Sequence, residues 1–268
     1  MNLQLAETGN WPAGGEEVMN PYRYARPLAW SGMFLLVGTV IFWGVLGQNI
    51  PPYSPALSAD EFAAEIIANA AQIRIGMIVQ MPISVFYFTW GLAITMVMRA
   101  IEKENGFNSV LSTLQLWGAG FTTIVFVLPC SIWLAVAYRP EVMEPQTLMM
   151  MYDFGWMFFD MAYSLTTMQM IAWGVCVLQD RRSTPLVPAW AAWFTMFTVV
   201  SFLMLTMMPL VYDGPFSRSG VLNYFVEFGL FFVMWLVVGI YTLKAIGRLE
   251  QEAVGQTSVA SRAAHAAS

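Results

Sequence analysis

Residues 110–138 read VLSTLQLWGAGFTTIVFVLPCSIWLAVAY and contain no Asp, Glu, Lys, Arg or His. A helix needs about 20 mostly apolar residues to cross the hydrocarbon core of a bilayer, so this run is long enough to span it. Over the whole chain, 58% of residues are hydrophobic and only 11% are charged, whereas about 25% are charged in a typical soluble domain. The run therefore predicts a transmembrane helix, and the composition indicates an integral membrane protein.

Five further apolar runs flank this one, and together they predict an all-α polytopic bundle of six transmembrane spans. The six runs extend over about residues 27–47, 73–98, 110–138, 148–178, 189–209 and 223–245. In the loop between the first two runs, Ser58 and Glu61 form a capping-box pattern, which marks the start of a helix. Apolar residues then recur at helical spacing, so we expect a short extracytoplasmic amphipathic helix over residues 58–72.

The distribution of positive charge predicts the orientation of the spans. Lys and Arg are concentrated in the loops on one side: Arg23, Arg26, Arg99, Lys103, Arg181, Arg182, Lys244, Arg248 and Arg262. The other side has only Arg74, Arg139 and Arg218. Because Lys and Arg are enriched in cytoplasmic loops, we expect both termini in the cytoplasm. The expected location is the inner (plasma) membrane of a bacterial cell.

The chain divides into three predicted regions. Residues 1–26 form a cytoplasmic N-terminal segment, residues 27–246 the transmembrane domain, and residues 247–268 a cytoplasmic tail. The first segment lacks a charged start followed directly by a short apolar core, so no cleavable signal peptide is expected. The tail is rich in Ala, Ser, Gln and Thr with few apolar residues, a composition that predicts disorder.

The histidine content excludes several kinds of chemistry. The single histidine, His265, lies in the tail, and Cys130 and Cys176 fall near opposite ends of neighbouring predicted spans. The predicted membrane domain therefore has no imidazole ligand for haem, di-iron or zinc, and the sequence predicts no metal and no cofactor. Motifs for phosphate binding, serine hydrolysis and zinc proteolysis are absent, which does not favour an enzyme. The small net charge of -5 provides no basic footprint for nucleic acid.

The fourth predicted span contains two aspartates, Asp153 and Asp160, which are seven residues apart and so fall on one helix face. Asp160 lies near the middle of the span, where a carboxylate costs about 2.5–3.5 kcal/mol on insertion scales. We expect Asp160 to face the bundle interior and to be either protonated or held by hydrogen-bond donors.

Neutral polar side chains on the second and fourth spans are the candidate partners of this acid. Those on each span recur at helical spacing, so they share one face. The predicted substrate-binding residues are Asp160, Gln80, Ser84, Tyr87, Ser164 and Thr167. Pro82 interrupts the second span and exposes a backbone carbonyl that is available to coordinate a substrate or cation. The alternative is an ordinary proline kink, in which the neighbouring hydroxyls only satisfy the helix backbone.

A second group of charged residues falls toward the non-cytoplasmic ends of spans 2, 4 and 6. Arg74, Asp153 and Glu227 have similar predicted depth, which suggests a partly buried ion pair or triad. Two roles remain open for this group: a latch that fixes helix register, or an outer gate.

Several motifs between residues 57 and 156 resemble those of a loose group of uncharacterised bacterial six-span membrane proteins. They are LSADEF at 57–62, NAAQIRIG at 69–76, VLPCSIWLAVAYRPE at 127–141 and DFGW at 153–156. The resemblance covers spans 2 to 4. That group has no assigned activity, so the resemblance implies the six-span fold and no catalytic residue.

Three hypotheses for function follow from the sequence. The first is an integral membrane protein that binds or passes a small lipophilic or weakly basic compound between spans 2, 4 and 6, with Asp160 as the central acid. The alternative is a non-catalytic accessory or structural subunit of a larger membrane complex, whose partner is another membrane protein or a second copy of the chain. A membrane enzyme with an external cofactor ranks last.

Overall fold

The computed structural model describes the backbone of residues 21–267 and the side chains of residues 21–255. This part of the chain is helical without strands, and six helices are long and apolar enough to span a membrane. The six spans are Ala25–Leu46, Ala59–Glu104, Val110–Val136, Pro145–Leu178, Ala189–Leu210 and Val221–Gly255. The predicted all-α six-span bundle is confirmed.

The spans form a ring in chain order, which closes where span 6 packs against span 1. Span 2 also contacts spans 4 and 6 across the ring. Arg26 at the start of span 1 forms an ion pair of 2.6 Å with Glu250 near the end of span 6. Arg248 donates to the carbonyl of Thr184 at 2.9 Å. We call this end of the bundle, marked by Arg26 and Arg248, the basic end.

The opposite end of the bundle is closed by the loops that follow spans 1 and 5. Asn49, in the first of these loops, is fully buried and accepts a hydrogen bond of 3.3 Å from the Tyr152 hydroxyl of span 4. The hydroxyl of Tyr224 in span 6 donates to the Asn49 backbone carbonyl. Arg218, in the second loop, contacts Asp153 of span 4. We call this the latch end.

Five of the six spans change helical geometry part-way along their length. Span 1 consists of α-helix Ala25–Gly38 and π-helix Thr39–Leu46, and span 2 of α-helices Ala59–Ile83 and Val85–Glu104. Span 4 consists of α-helices Pro145–Met161 and Tyr163–Leu178. Span 5 consists of α-helix Ala189–Ser201 and 3-10 helix Phe202–Leu210, and span 6 of π-helix Val221–Val226 and α-helix Glu227–Ala267. Span 3, Val110–Val136, is one α-helix, and Pro140–Val142 is a short 3-10 turn. In span 2 the break follows Pro82, and the Ser84 hydroxyl donates to the Gln80 carbonyl at 2.7 Å.

The predicted surface helix before span 2 is present, but it is not a separate element. Both halves of the capping box form, since the Ser58 hydroxyl accepts from the Glu61 amide and the Glu61 carboxylate accepts from the Ser58 amide at 2.9 Å. The helix Ala59–Ile83 then continues without interruption into the bundle. The sequence offers no proline or glycine between residues 59 and 75 to end it. The segment is therefore the first part of span 2, at the latch end.

The last helix extends further than the sequence predicts. It runs from Glu227 to Ala267 and includes most of the tail for which composition predicts disorder. Alanine has the highest helix propensity, and the tail is rich in it, which accounts for the difference. Residues 1–20 of the predicted N-terminal segment lie outside the described residues.

Spans 1 and 2 approach each other so closely that one position requires glycine. A Cβ atom at Gly76 would lie 2.4 Å from the Phe42 carbonyl oxygen and 2.8 Å from the Gly47 nitrogen. Both are backbone atoms, so no rotamer change can relieve the clash. This contact fixes the second half of span 1 against span 2.

Candidate functional site

A cavity lies between spans 3, 4, 5 and 6. Its volume is about 60 Å³, measured as the space open to the centres of water-sized spheres. Its lining residues are Thr122, Val125, Phe126, Phe159, Asp160, Tyr163, Thr166, Phe202, Leu205, Glu227, Phe228 and Phe231. One water needs about 10–15 Å³ by this measure, so the cavity has room for a few waters or a small molecule.

Two carboxyl groups face this cavity from different spans. Asp160 is 2% exposed and Glu227 is 1% exposed. Among the described residues, Asp160 Oδ2 and Glu227 Oε1 have no hydrogen-bond partner. Glu227 Oε2 accepts from the Ser201 hydroxyl at 3.2 Å. The residues that line the cavity, all within the described part of the chain, include no lysine or arginine.

Breaks in the helices position the residues of the site. Asp160 lies two residues before Ala162, where the α-helix of span 4 is interrupted with φ −81° and ψ 7°. Phe202 is the first residue of the 3-10 segment of span 5, and Glu227 is the first α-helical residue after the π-helix of span 6. Mid-helix 3-10 and π segments are frequent at functional hinges, and discontinuous helices form the central sites of many transporters.

Aromatic rings form much of the cavity wall. Six of the twelve lining residues are aromatic: Phe126, Phe159, Tyr163, Phe202, Phe228 and Phe231. Phe159 and Phe228 stack with ring centroids 6.1 Å apart. The faces of aromatic rings attract cations, by about 0.5–1 kcal/mol at exposed sites and more when the cation is desolvated. The wall therefore combines two acids with surfaces that favour positive charge.

The structure does not bring the predicted substrate-binding residues together, because only Asp160 lines the cavity. The Gln80 side-chain amide donates to the Thr39 hydroxyl at 3.2 Å, a contact between spans 1 and 2. Ser84 bonds back to its own helix. Tyr87 packs behind the cavity against Phe126, with ring centroids 5.3 Å apart.

The predicted polar face of span 4 is also interrupted. Ser164 is exposed, and the Thr167 hydroxyl donates to the Val199 carbonyl of span 5 at 3.1 Å. The prediction assumed one continuous helix from Asp153 to Thr167. The break at Ala162 rotates the following residues, so Thr166, rather than Ser164, faces the cavity.

The predicted grouping of Arg74, Asp153 and Glu227 is wrong. Within the described residues, Arg74 forms no ion pair and donates instead to the Tyr138 carbonyl at 3.2 Å. Asp153 pairs with Arg218, and Glu227 faces the cavity. Similar depth along three helices does not fix their rotation, and the sequence did not reveal that the loop after span 5 folds back over span 4.

Arg218 is the central residue of a latch formed with Asp153 and Tyr53. Its guanidinium is almost fully buried, and Nη1 contacts Asp153 Oδ1 at 2.5 Å. Its Nε and Nη2 donate to the Tyr53 carbonyl at 3.2 and 3.1 Å. The guanidinium also lies 5.0 Å from the centre of the Tyr152 ring. Burial raises the pKa of the Tyr53 phenol, which therefore stays neutral beside the latch.

The polar contributors to the cavity that sequence reasoning did not assign to it are Thr122, Tyr163, Thr166 and Glu227. The Thr122 and Thr166 hydroxyls lie 3.2 Å apart, joining spans 3 and 4 at the cavity wall. The signal available in the sequence was an acid or hydroxyl in each of three otherwise apolar runs. Within the described part of the chain, no group of three or more His, Cys, Asp or Glu side chains is arranged to hold a metal ion.

Comparison of the chain with protein-family models, with curated proteins and with solved structures finds no match.

Proposed function

We propose that this integral membrane protein binds a small weakly basic compound in its protonated, cationic form and passes it across the bilayer. Asp160 and Glu227 would be its counter-charges. The observation that carries the proposal is that these two buried carboxyl groups, each with an unpartnered oxygen, face one cavity without a lysine or arginine in its wall.

The chemistry of the cavity supports a cationic ligand. An ionised carboxylate that is removed from water is costly unless a positive charge or hydrogen-bond donors compensate it. A protonated amine supplies both, because its N–H groups donate to carboxylate oxygens and its charge interacts with the aromatic wall. Drug-sized ligands occupy pockets of about 300–1,000 Å³, so the cavity favours a small amine over a bulky lipophilic molecule.

The alternative of a non-catalytic accessory subunit requires the buried polar residues to serve helix contacts only. Tyr87 and Thr167 fit that description, since each bonds to another span. Asp160 and Glu227 do not fit it, because each keeps a carboxyl oxygen without a partner in the described residues. The cavity therefore favours a ligand-binding role.

The orientation proposed for this function places the basic end in the cytoplasm of a bacterial cell. The support is the concentration of Lys and Arg at that end, as the positive-inside rule describes. A cation that reaches the cavity from outside would then have to pass the latch of Arg218, Asp153 and Tyr53.

Equilibrium binding of radiolabelled tetramethylammonium and methylammonium to the purified protein in detergent tests the proposal. We expect saturable binding to the wild-type protein, and at least tenfold weaker binding to Asp160→Asn and Glu227→Gln. Glu141→Gln is the matched control, because Glu141 is an exposed acid outside the cavity, and its affinity should be unchanged. A wild-type protein that binds neither cation, or a folded Asp160→Asn protein with wild-type affinity, contradicts the proposal.

A further inference from the structure

A column of polar side chains leads from the cavity toward the basic end between spans 2, 3 and 4. It has four layers, each joined by a hydrogen bond between two spans: Thr122 with Thr166 at 3.2 Å, Tyr87 with Gln169 at 3.1 Å, Thr95 with Gln115 at 2.6 Å, and Glu102 with the Ser112 amide at 3.2 Å. The first pair lines the cavity, and the last lies next to the exposed loop after span 2.

The polar residues of the column recur along span 3 at intervals of about one and two helical turns. At 1.5 Å per residue, Gln115 is about 10.5 Å from Thr122 and about 4.5 Å from Ser112 along the helix axis. Gln169 of span 4 packs against Gly118 and so lies within the longer interval. A single water that makes two O–H···O hydrogen bonds of about 2.7–2.8 Å each bridges about 5 Å.

Each of the three layers beyond the Thr122–Thr166 pair contains a buried polar atom that takes no part in the hydrogen bond between the spans. Within the described residues, Gln169 Nε2, Gln115 Nε2 and Glu102 Oε2 have no hydrogen-bond partner. All three side chains are at most 2% exposed. Contacts between helices account for the paired atoms of each layer, but not for these three. Buried polar atoms of this kind are the ones that ordered waters usually satisfy.

Glycines hold the spans close together along the column. A Cβ atom at Gly118 would lie 2.6 Å from Gln169 Cβ, and one at Gly91 would lie 2.4 Å from Ala119 Cβ. Gly118 and Gly91 therefore let span 3 approach spans 4 and 2 so that the amides and hydroxyls of the middle layers meet.

We infer that this column carries protons between the cavity and the basic end, so that binding of the cationic ligand is coupled to release of a proton. The inference rests on the proposed function. In the empty site a carboxyl group is protonated. When the cation arrives, the O–H bond of that acid breaks, the carboxylate keeps the electron pair, and the proton passes through a water to the column. One positive charge thus replaces another, and the net charge of the cavity is conserved.

The titratable groups around the two ends of the column are few. At the cavity, Asp160 and Glu227 face Tyr163, and Arg218 and Tyr224 are near enough to interact electrostatically with Asp160. At the basic end, Glu102 interacts with Cys176 of span 4, which is also near Asp180. Glu102 is followed by the exposed residues Lys103 and Glu104, so a proton that reaches it has a short path to solvent.

Calorimetric titration of the wild-type protein with methylammonium, in buffers of different ionisation enthalpy, counts the protons released. We expect about one proton for each cation bound. Binding with no proton release overturns the coupling but leaves the proposed function standing, whereas absence of binding contradicts the proposed function itself.

The route is tested in proteoliposomes by uptake of radiolabelled tetramethylammonium driven by an imposed pH gradient. The double variant Thr95→Val/Gln169→Leu should retain its binding affinity in detergent but lose at least tenfold of the driven uptake. Thr123→Val/Gln179→Leu is the matched control, because Thr123 bonds within its own helix and Gln179 is exposed. Its uptake should equal that of the wild type.

A single variant, Thr95→Val, covers the case in which the double variant does not fold. It is nearly isosteric, and we expect at least threefold slower driven uptake with unchanged binding. Wild-type uptake in a folded Thr95→Val/Gln169→Leu protein, or equal losses in that variant and its control, would rule out the column as the route.

Discussion

Arg218 and Asp153 form an ion pair of 2.5 Å that ties the loop between spans 5 and 6 to the first helix of span 4. The guanidinium is only 4% exposed, and it also holds the Tyr53 carbonyl in the loop after span 1. One side chain thus joins three segments of the chain over the latch end of the bundle. The helix types beside it are unusual, because span 6 starts as a π-helix and span 5 ends as a 3-10 helix.

The latch predicts that Arg218 contributes far more to the stability of the fold than Arg74, which lies at the same end of the bundle. Arg218→Gln should destabilise the fold by about 3 kcal/mol, since it leaves two backbone contacts unmade and Asp153 unpaired. The value is at the lower limit for buried pairs, because the Asp153 side chain is 34% exposed. Arg74→Gln should cost less than about 1 kcal/mol, because Arg74 has no ionic partner in the described residues. Chemical denaturation in detergent measures both.

A double-mutant cycle isolates the ion pair within that latch. Arg218→Gln combined with Asp153→Asn should cost clearly less than the sum of the two single losses, because contacting residues are not additive. Strictly additive losses, or equal losses for the two arginines, would show that the latch does not depend on this pair.

The capping box predicts a smaller and local effect. Ser58→Ala should lower the free energy of unfolding by about 1 kcal/mol, since it leaves the Glu61 amide without its acceptor. Ser109→Ala is the matched control. Ser109 also precedes a long helix, but its side chain makes no capping hydrogen bond to that helix, so its removal should change stability by less than about 0.5 kcal/mol. Equal losses in the two variants would contradict the assignment of the cap.

The sequence predicts the spans well because a long apolar run has few alternatives in a membrane protein. The predicted third span, 110–138, differs from the observed Val110–Val136 by two residues at one end. Local signals are also reliable where the interaction is between near neighbours. Ser58 and Glu61 are three residues apart, and their mutual hydrogen bonds follow from the helix geometry alone.

The candidate site is harder to predict, because it depends on rotation about helix axes and on where helices break. The seven-residue spacing of Asp153 and Asp160 places both on one face of a regular helix. The break at Ala162 ends that regular helix, so the face does not continue to Ser164. The partner of Asp153 lies 65 residues away in a loop. No periodicity in the sequence specifies such a contact. The sequence therefore groups Glu227 with Arg74 and Asp153, whereas in the structure it shares a cavity with Asp160.

The topology prediction concerns which end of the bundle faces the cytoplasm. Val142, at the latch end, is 80% exposed, and Asn108, in the loop after span 2, is also exposed. A membrane-impermeant maleimide should label Val142→Cys in intact cells and Asn108→Cys only after permeabilisation. The native Cys130 and Cys176 are buried and should stay unlabelled in the unsubstituted control. The reverse pattern would place the basic end outside and reverse the direction of the proposed coupling.

The last prediction separates a site from a structural element at Asp160. Asn is nearly isosteric with Asp and remains able to hydrogen-bond. Because Asp160 Oδ2 has no partner in the described residues, Asp160→Asn should change the free energy of unfolding by less than about 1 kcal/mol. The same substitution removes the charge that a bound cation needs, so affinity for tetramethylammonium should fall at least tenfold, which corresponds to about 1.4 kcal/mol. A residue that only stabilises helix packing would give the opposite result, with a lower melting temperature and unchanged affinity in the protein that remains folded. Melting curves and binding isotherms measured on one monodisperse preparation distinguish the two, and the structural outcome would favour the accessory-subunit role.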